Sequence, residues 1–433
     1  MNASLYGAPS APTPSPSNNH NQRNFIMHFF DGALYMGGLA FTSPEIVLSV
    51  LIYRLGGSEA AIGGVFALTE LGQALPQLLM SPIMDGLPRK KFTVLCGAFL
   101  QRLPWLILGL LLWLGNVDQS GKFAPIVLAL VAVAFLAGGA IGPAWNAFVA
   151  STVPQRRRGR LFALRQQGAG VLGIAAGIAA AYVIDSFPFP YNFSFLFFIT
   201  YFFWMSSLAS LAFVKESPLP ARPHESMREY YCKHIPGILR QDKDFRWFLV
   251  LKAGMLLSMI SFGFYSVYAI KHFQAPPYYA GRFTSGYMLG QIFFAFLFGA
   301  IVDRYGHRIN AIYFCLIIIA QNILALMAPS VAVFFGVFLI MGAIRSIQII
   351  TFITMPMEYA DSRDHPTYYA LSNTLLAPFY LSGLLGGFFV PYIGYRGLFL
   401  LSSFFALLTL ICAIRFVRDP RHGRDAFLGE KDG

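Results

Sequence analysis

Six ionisable side chains sit inside stretches otherwise built from apolar residues: Asp31, Glu45, Glu70, Arg102, Lys252 and Arg345. A charge surrounded by hydrocarbon is costly, so each is expected to face a partner, a polar ligand or a water-filled cavity. A carboxylate in that setting can exchange a proton or hold a cation, and a guanidinium or ammonium can hold an acidic solute. The acids and bases in this set are equal in number, which fits internal pairing better than a pore of one sign. The eight histidines are scattered, with no close pair and no His-Glu-x-x-His or His-x-x-x-Asp on a helix. That spacing offers neither a metal-ligand set nor the acid–base cluster of a membrane enzyme, and no cofactor is called for.

The elements that must carry these groups follow from composition. Charged residues are only 12% of the 433, and hydrophobic residues are 56%. A water-soluble core cannot bury that much apolar surface, so the solvent must be lipid. Twelve stretches of spanning length can be drawn: 25–52, 60–84, 92–114, 124–152, 162–184 and 193–214, then 247–270, 283–302, 310–327, 331–354, 368–391 and 397–416. The polar stretch 215–246, with four prolines and seven bases, divides them six and six. The expected organisation is a disordered tail over 1–24, a bundle over 25–214, the linker 215–246, a second bundle over 247–417 and a tail over 418–433. Of the 32 Lys and Arg, about 24 fall in one alternating set of loops and the termini. That asymmetry predicts both termini in the cytoplasm, and it explains the net charge of +12 without nucleic acid. Four isolated cysteines imply neither disulfides nor zinc.

Depth along each span follows from the helical rise. Counted from the cytoplasmic boundary, Lys252 lies at ~8 Å, Asp31 at ~10 Å, Arg102 at ~15 Å, Arg345 at ~16 Å and Glu70 at ~21 Å. Glu45, at ~30 Å, is expected near the outer surface and solvated. Glu70 and Arg102 lie on consecutive spans and can pair. Asp31 and Lys252 share a depth, so Asp31 is either a permanent partner of Lys252 or a group that protonates reversibly. Phe262, Phe264, Tyr265 and Tyr268, with Tyr35 and Phe41, form an aromatic set that serves either helix packing or stacking on a solute.

A repeated hairpin gives these spans a mechanism. Gly299-Ala-Ile-Val-Asp303-Arg304-Tyr-Gly306-His-Arg308 follows the second span of the second half. Ser81-Pro-Ile-Met-Asp85-Gly86-Leu-Pro88-Arg89-Lys90 occupies the same place in the first half. Ala163-Leu164-Arg165-Gln166 and Ala370-Leu371-Ser372-Asn373 form a second matching pair. Gly299 is expected to let its helix approach a neighbour, Gly306 to make a tight turn, and Asp303 to meet the positive end of an adjacent helix. Basic Arg156-Arg157-Arg158-Gly159-Arg160 faces an acidic counterpart, Glu358, Asp361 and Asp364, across what is expected to be one face.

The hairpin resembles the signature of the major facilitator superfamily, Gly-x-x-x-Asp-Arg-x-Gly-Arg-Arg. The resemblance implies an all-α polytopic membrane protein of twelve helices in two pseudo-symmetric six-helix bundles, working by alternating access. It implies that Asp85, with Arg89 and Lys90, faces the start of helix 11 near Thr367. It implies likewise that Asp303, with Arg304 and Arg308, faces the start of helix 5 near Leu161, so that both hairpins gate the cytoplasmic side. It also places Asp31, Asn146, Lys252 and Arg345 on the helices that line a central cavity. Arg345 then contacts substrate or coupling ion, or forms a conformational salt bridge. Lys215-Glu216-Ser217-Pro218 is similar to part of a sugar-porter motif but lacks the rest of that set. The expectation is a secondary transporter, monomeric, for a small anionic or zwitterionic solute, with protons as a candidate coupling ion and lipid as its surroundings. A transport-dead sensor on the same fold is the alternative, and a polytopic enzyme is a more distant one.

Overall fold

A backbone that crosses hydrocarbon must satisfy its own hydrogen bonds, and the described residues do so with helices alone. The computed structural model describes residues 18–85, 89–115, 117, 119–216, 235–360 and 365–419. The first half comprises α1 (Asn18–Ala40, continuing through a π-helical turn Pro44–Leu48 into Ser49–Arg54), α2 (Glu59–Asp85), α3 (Lys91–Leu114), α4 (Ala124–Thr152), α5 (Gln155–Ser186) and α6 (Tyr191–Ala212). A short helix, Ile235–Gln241, precedes α7 (Lys243–Ser258, a 3-10 turn Met259–Phe264, then Tyr265–His272). α8 (Tyr279–Tyr305), α9 (His307–Met327) and α10 (Phe334–Glu358) follow. α11 begins at His365–Leu375, passes the 3-10 turn Ala377–Leu381 and runs on over 382–393. Gly394, at φ 68°, turns the chain into α12 over 395–415. Twelve crossings bring the chain back to the face from which it started, hereafter the terminal face; the other is the far face.

The helix ends differ from the expected spans for local reasons. α1 starts at Asn18, inside the expected tail, because Asn24 bridges Thr152 O at 3.2 Å and Lys215 N at 3.0 Å. α5 starts at Gln155, so the arginine run is helix and not linker. Arg158 folds back to Val153 O at 3.0 Å and Ala150 O at 2.6 Å, capping the helix before it. α1, α7 and α11 are broken where continuous helices were expected. The breaks in α1 and α7 lie at corresponding places in the two halves, and every residue of Pro44–Leu48 and Met259–Phe264 is buried. Non-helical turns at membrane depth survive only when protein encloses them.

The two halves repeat their end-capping as well. Glu216 accepts from the amides of Lys90 (2.9 Å) and Lys91 (2.9 Å) at the start of α3, while Lys91 Nζ reaches Ala212 O and Val214 O at the end of α6. Asp419 accepts from the amide of Arg308 at 3.1 Å at the start of α9, and the Arg308 guanidinium reaches Ala413 O and Ile414 O at the end of α12. Each set supplies an anion to orphan N–H groups and a cation to orphan carbonyls. Gly306 adopts φ 81°, and a Cβ there would collide with the Asp419 carboxylate, so only glycine fits this turn.

The halves meet along two seams, α2 against α11 and α5 against α8. Both are glycine-lined on the far side. A Cβ at Gly63 would run into the Gly383 carbonyl, and one at Gly281 into the backbone of Ala181. At the terminal end of the α5–α8 seam, a Cβ at Gly159 or Gly299 would meet nothing within 4 Å. The expected close approach at Gly299 is therefore absent, because the two helices touch nearer the far face and part toward the terminal face.

Candidate functional site

Glu70 on α2 and Arg345 on α10 form an ion pair of 2.8 Å, joining the two bundles near mid-membrane. Arg345 also donates to Gln348 Oε1 at 2.7 Å, one turn along its own helix. The side chains keep 13% (Glu70) and 23% (Arg345) of their accessible surface, so the pair borders open space. Glu45, in the π-helical turn of α1, is 7% exposed and feels the Arg345 and Glu70 charges; Tyr287 of α8 is close enough to feel all three. Glu45 is thus buried beside the pair and not solvated at the outer surface. The π-helical turn that carries it is buried throughout. One guanidinium held by Glu70, with the Glu45 charge nearby, is an arrangement in which a proton, cation or solute can loosen the arginine.

Lys252 on α7 stands apart from this pair. It is 0% exposed, and its Nζ donates to Ser372 Oγ at 3.0 Å and Asn373 Oδ1 at 2.7 Å on α11. The Phe352 ring lies 4.8 Å from the ammonium. No carboxylate among the described residues pairs with it. Asn373 also faces Gln77 of α2 at 3.5 Å, across the seam between the halves.

The third charged group lies wholly in the first half. Asp31 Oδ2 accepts from Arg165 of α5 at 3.0 Å and from the Trp145 indole at 3.4 Å, and Asp31 Oδ1 accepts from Ser207 at 2.8 Å. Arg102 donates to Trp204 O (2.7 Å), Ala98 O (2.7 Å) and Ser207 Oγ (3.1 Å). Neither expected pairing occurs: Glu70 joins Arg345 and not Arg102, and Asp31 joins Arg165 and not Lys252. Glu70 points to the boundary between bundles, whereas Arg102 points to α6, so proximity along the chain did not decide their partners. Asn146 is exposed and makes no hydrogen bond among the described residues; its neighbour Trp145 turns to Asp31 instead.

Arg165 was within reach of sequence reasoning. It lies inside the fifth apolar stretch and is aligned by the repeated tetrapeptides with Ser372, the Lys252 ligand. The aromatic set resolves to packing. Phe262, Phe264, Tyr265 and Tyr268 are buried in the core, and Tyr35 stacks on Trp204 at 4.7 Å between centroids.

Of the gating residues, Asp303, Arg304 and Arg89 are exposed on the terminal face, and the backbone of Lys90 is tied to Glu216. Leu161 is buried with Val149 and Val153 of its own half. The Asp85 side chain, Gly86, Pro88, Asp361 and Asp364 lie outside the described residues. On the far face, Glu59 of α2 accepts from Tyr395 at 2.6 Å and from Lys271 of α7 at 3.3 Å, binding the halves together there.

Two six-helix halves, closed on one face and bridged at mid-depth by an ion pair, are the architecture of a secondary transporter. The sequence matches the Major Facilitator Superfamily over residues 29–374 and 247–433, and the chain belongs to that family. Its fold is similar to that of the nucleoside transporter NupG (TM-score 0.69, 11% identity, 92% of this chain and 99% of that one). It is equally similar to a D-xylose-proton symporter (TM-score 0.69, 14% identity, 93% and 99%). The human organic anion transporter MFSD10 shares it too (TM-score 0.62, 15% identity, 92% and 100%). No curated protein sequence matches the chain significantly.

Proposed function

We propose that this transporter carries a small solute with an acidic group, anionic or zwitterionic, across the cytoplasmic membrane, with both termini in the cytoplasm. The observation that carries this reading is the Glu70–Arg345 pair: partly open, at mid-depth, and made between the halves that must move apart. A carboxylate or phosphate on the solute competes with Glu70 for the Arg345 guanidinium, the group best shaped to grip a planar acid in two places. An amine on a zwitterion would take the Glu70 carboxylate so released. Arg165, inside the fifth apolar stretch, adds a fourth base to the three acids carried within the spans, and the surplus positive charge favours an acidic cargo.

Protons couple to the cycle at Glu70, the carboxylate that holds Arg345, with Glu45 buried close enough to feel both charges; a proton on Glu70 frees the arginine for solute. Asp31, held by Arg165, Ser207 and Trp145, serves as a structural anchor in this scheme. The closed far face and the parted helices at Gly159 and Gly299 support a conformation open to the cytoplasm. The hairpins bearing Asp85 and Asp303 would latch that side in the opposite conformation.

The test is a thermal-shift screen of purified protein against acidic, zwitterionic, neutral and cationic metabolites at two pH values, with Arg345→Ala in parallel. A ligand of the native state raises apparent stability by mass action. Acidic or zwitterionic compounds should stabilise the wild type and leave Arg345→Ala unmoved. Stabilisation by neutral or cationic compounds alone, or equal shifts in both proteins, would overturn the assignment.

A further inference from the structure

A cavity of about 600 Å³ lies along the far-face half of the α5–α8 seam. Its apolar wall is formed by Ile174 and Ile178 of α5, Leu289 of α8 and Phe335 of α10. Three of those side chains are strongly exposed for apolar residues: Ile178 at 62%, Leu289 at 42% and Phe335 at 40%. In a chain whose solvent is lipid, an exposed apolar rim of this kind faces acyl chains, so the occupant must arrive from the bilayer. The wall follows α8 from Arg282 to Leu289, a trough ~10 Å long.

The far-face end of the trough changes character. Arg282 and Asp185 both line it, yet no ion pair joins them, and neither makes a hydrogen bond to a described residue. The Arg282 guanidinium lies 4.9 Å from the Tyr278 ring and 5.2 Å from the Tyr279 ring, which fix its plane without using its N–H donors. Tyr182, 72% exposed, completes the polar rim at the depth where aromatic residues mark the headgroup boundary. The cavity therefore offers, on one rim, a cation and an anion not bonded to each other, above an apolar slot and at the helix ends where headgroups lie.

We infer that this trough is a binding site for one phospholipid with a primary-amine headgroup, its phosphate on Arg282, its ammonium on Asp185 and one acyl chain along Ile174, Ile178 and Leu289. Charge complementarity selects the class. A net-anionic headgroup meets Asp185 without compensation, and a quaternary ammonium has no N–H to donate to it. One wall belongs to each half, so the lipid touches both sides of the seam. Ser285, which lines the trough, is also the residue that a Cβ on Gly177 would strike. This site is separate from Arg345 and does not depend on which solute is carried.

Native mass spectrometry of the purified full chain, delipidated and then offered phosphatidylethanolamine, phosphatidylcholine or phosphatidylglycerol, tests the inference. The expected result is one retained phosphatidylethanolamine, bound about ten-fold more tightly than either other lipid, as a charge-assisted contact warrants. Arg282→Ala should lose that preference and the tight adduct together. Asp185→Asn should keep the adduct but bring phosphatidylethanolamine and phosphatidylcholine to the same affinity. Leu289→Trp, which fills the slot and leaves both charges in place, should also lose the adduct, and it serves if the arginine variant does not fold. Free phosphoethanolamine should not compete at equal concentration. Equal retention of the three lipids by the wild type, an unchanged adduct in Arg282→Ala or Leu289→Trp, or full competition by phosphoethanolamine would each overturn the site.

Discussion

The α1–α5 contact of the first half and the α7–α11 contact of the second occupy matching places but hold their charge differently. In the first, Asp31 and Arg165 neutralise each other and are further held by Ser207 and Trp145. In the second, Lys252 is sealed at 0% exposure against a hydroxyl and an amide oxygen, with no carboxylate among its contacts. Arg165 and Ser372 are aligned by the repeated tetrapeptides, so the two halves diverged at the residue that decides the charge balance. A closed pair ties α1 to α5 without leaving net charge at the contact. A lysine held only by neutral oxygens leaves the second half without the balanced pair that the first half has.

Removing one partner at each place should show the contrast most strongly. Arg165→Ala strands the Asp31 carboxylate, and a broken buried pair costs about 3–5 kcal/mol. The apparent Tm in detergent should fall sharply. Lys252→Met leaves only neutral groups unpaired and should cost about 2 kcal/mol or less. Equal losses in the two variants would erase the distinction. At the pair between the halves, Arg345→Ala should weaken binding of the acidic ligand found by thermal shift by about 10–100-fold, the range for a hydrogen bond to a charged group. Isothermal titration checks it, and Arg345→Lys should recover part of the affinity.

A third variant sharpens the comparison by rebuilding the missing symmetry. Ser372→Asp gives Lys252 the carboxylate its counterpart has, and should raise stability by roughly 1 kcal/mol while slowing solute flux in liposomes. Unchanged flux would show that Lys252 is as inert as the Asp31–Arg165 pair. The smallest effect belongs to the far face. Glu59→Gln keeps an acceptor for Tyr395 and removes only the ion pair with half-exposed Lys271, so it should change stability by about 1 kcal/mol or less. It should nevertheless increase labelling of a single cysteine placed at Ser58, because the far face then opens more often.

The sequence made the twelve crossings, the division into halves and the repeated hairpins legible, because hydropathy and turn chemistry are local. It also found every residue of the Glu70–Arg345 pair without finding the pair. Helical rise gives the depth of a charge, whereas its partner depends on which way it faces around the helix, and that is fixed by packing between helices distant in sequence. Glu45 shows the same limit: counting from the boundary placed it solvated at the surface, whereas the turn that carries it, Pro44–Leu48, is wholly buried. Arg165 was visible as half of a repeat, and its burial against α1 was not, since Gly32 makes room for it only in three dimensions.

Backbone-to-backbone contact at Gly63 and Gly383 turns the far end of the α2–α11 seam into a fulcrum. With the fulcrum at one surface of a hydrocarbon layer ~30 Å thick, a rocking of about 10° opens the other surface by ~5 Å. Glu70 and Arg345, halfway along that lever, would be drawn apart by about half as much, enough to stretch a contact of 2.8 Å past the reach of an ion pair. A rotation too small to remodel either bundle is therefore large enough to take Arg345 out of reach of Glu70 and leave its guanidinium free for solute.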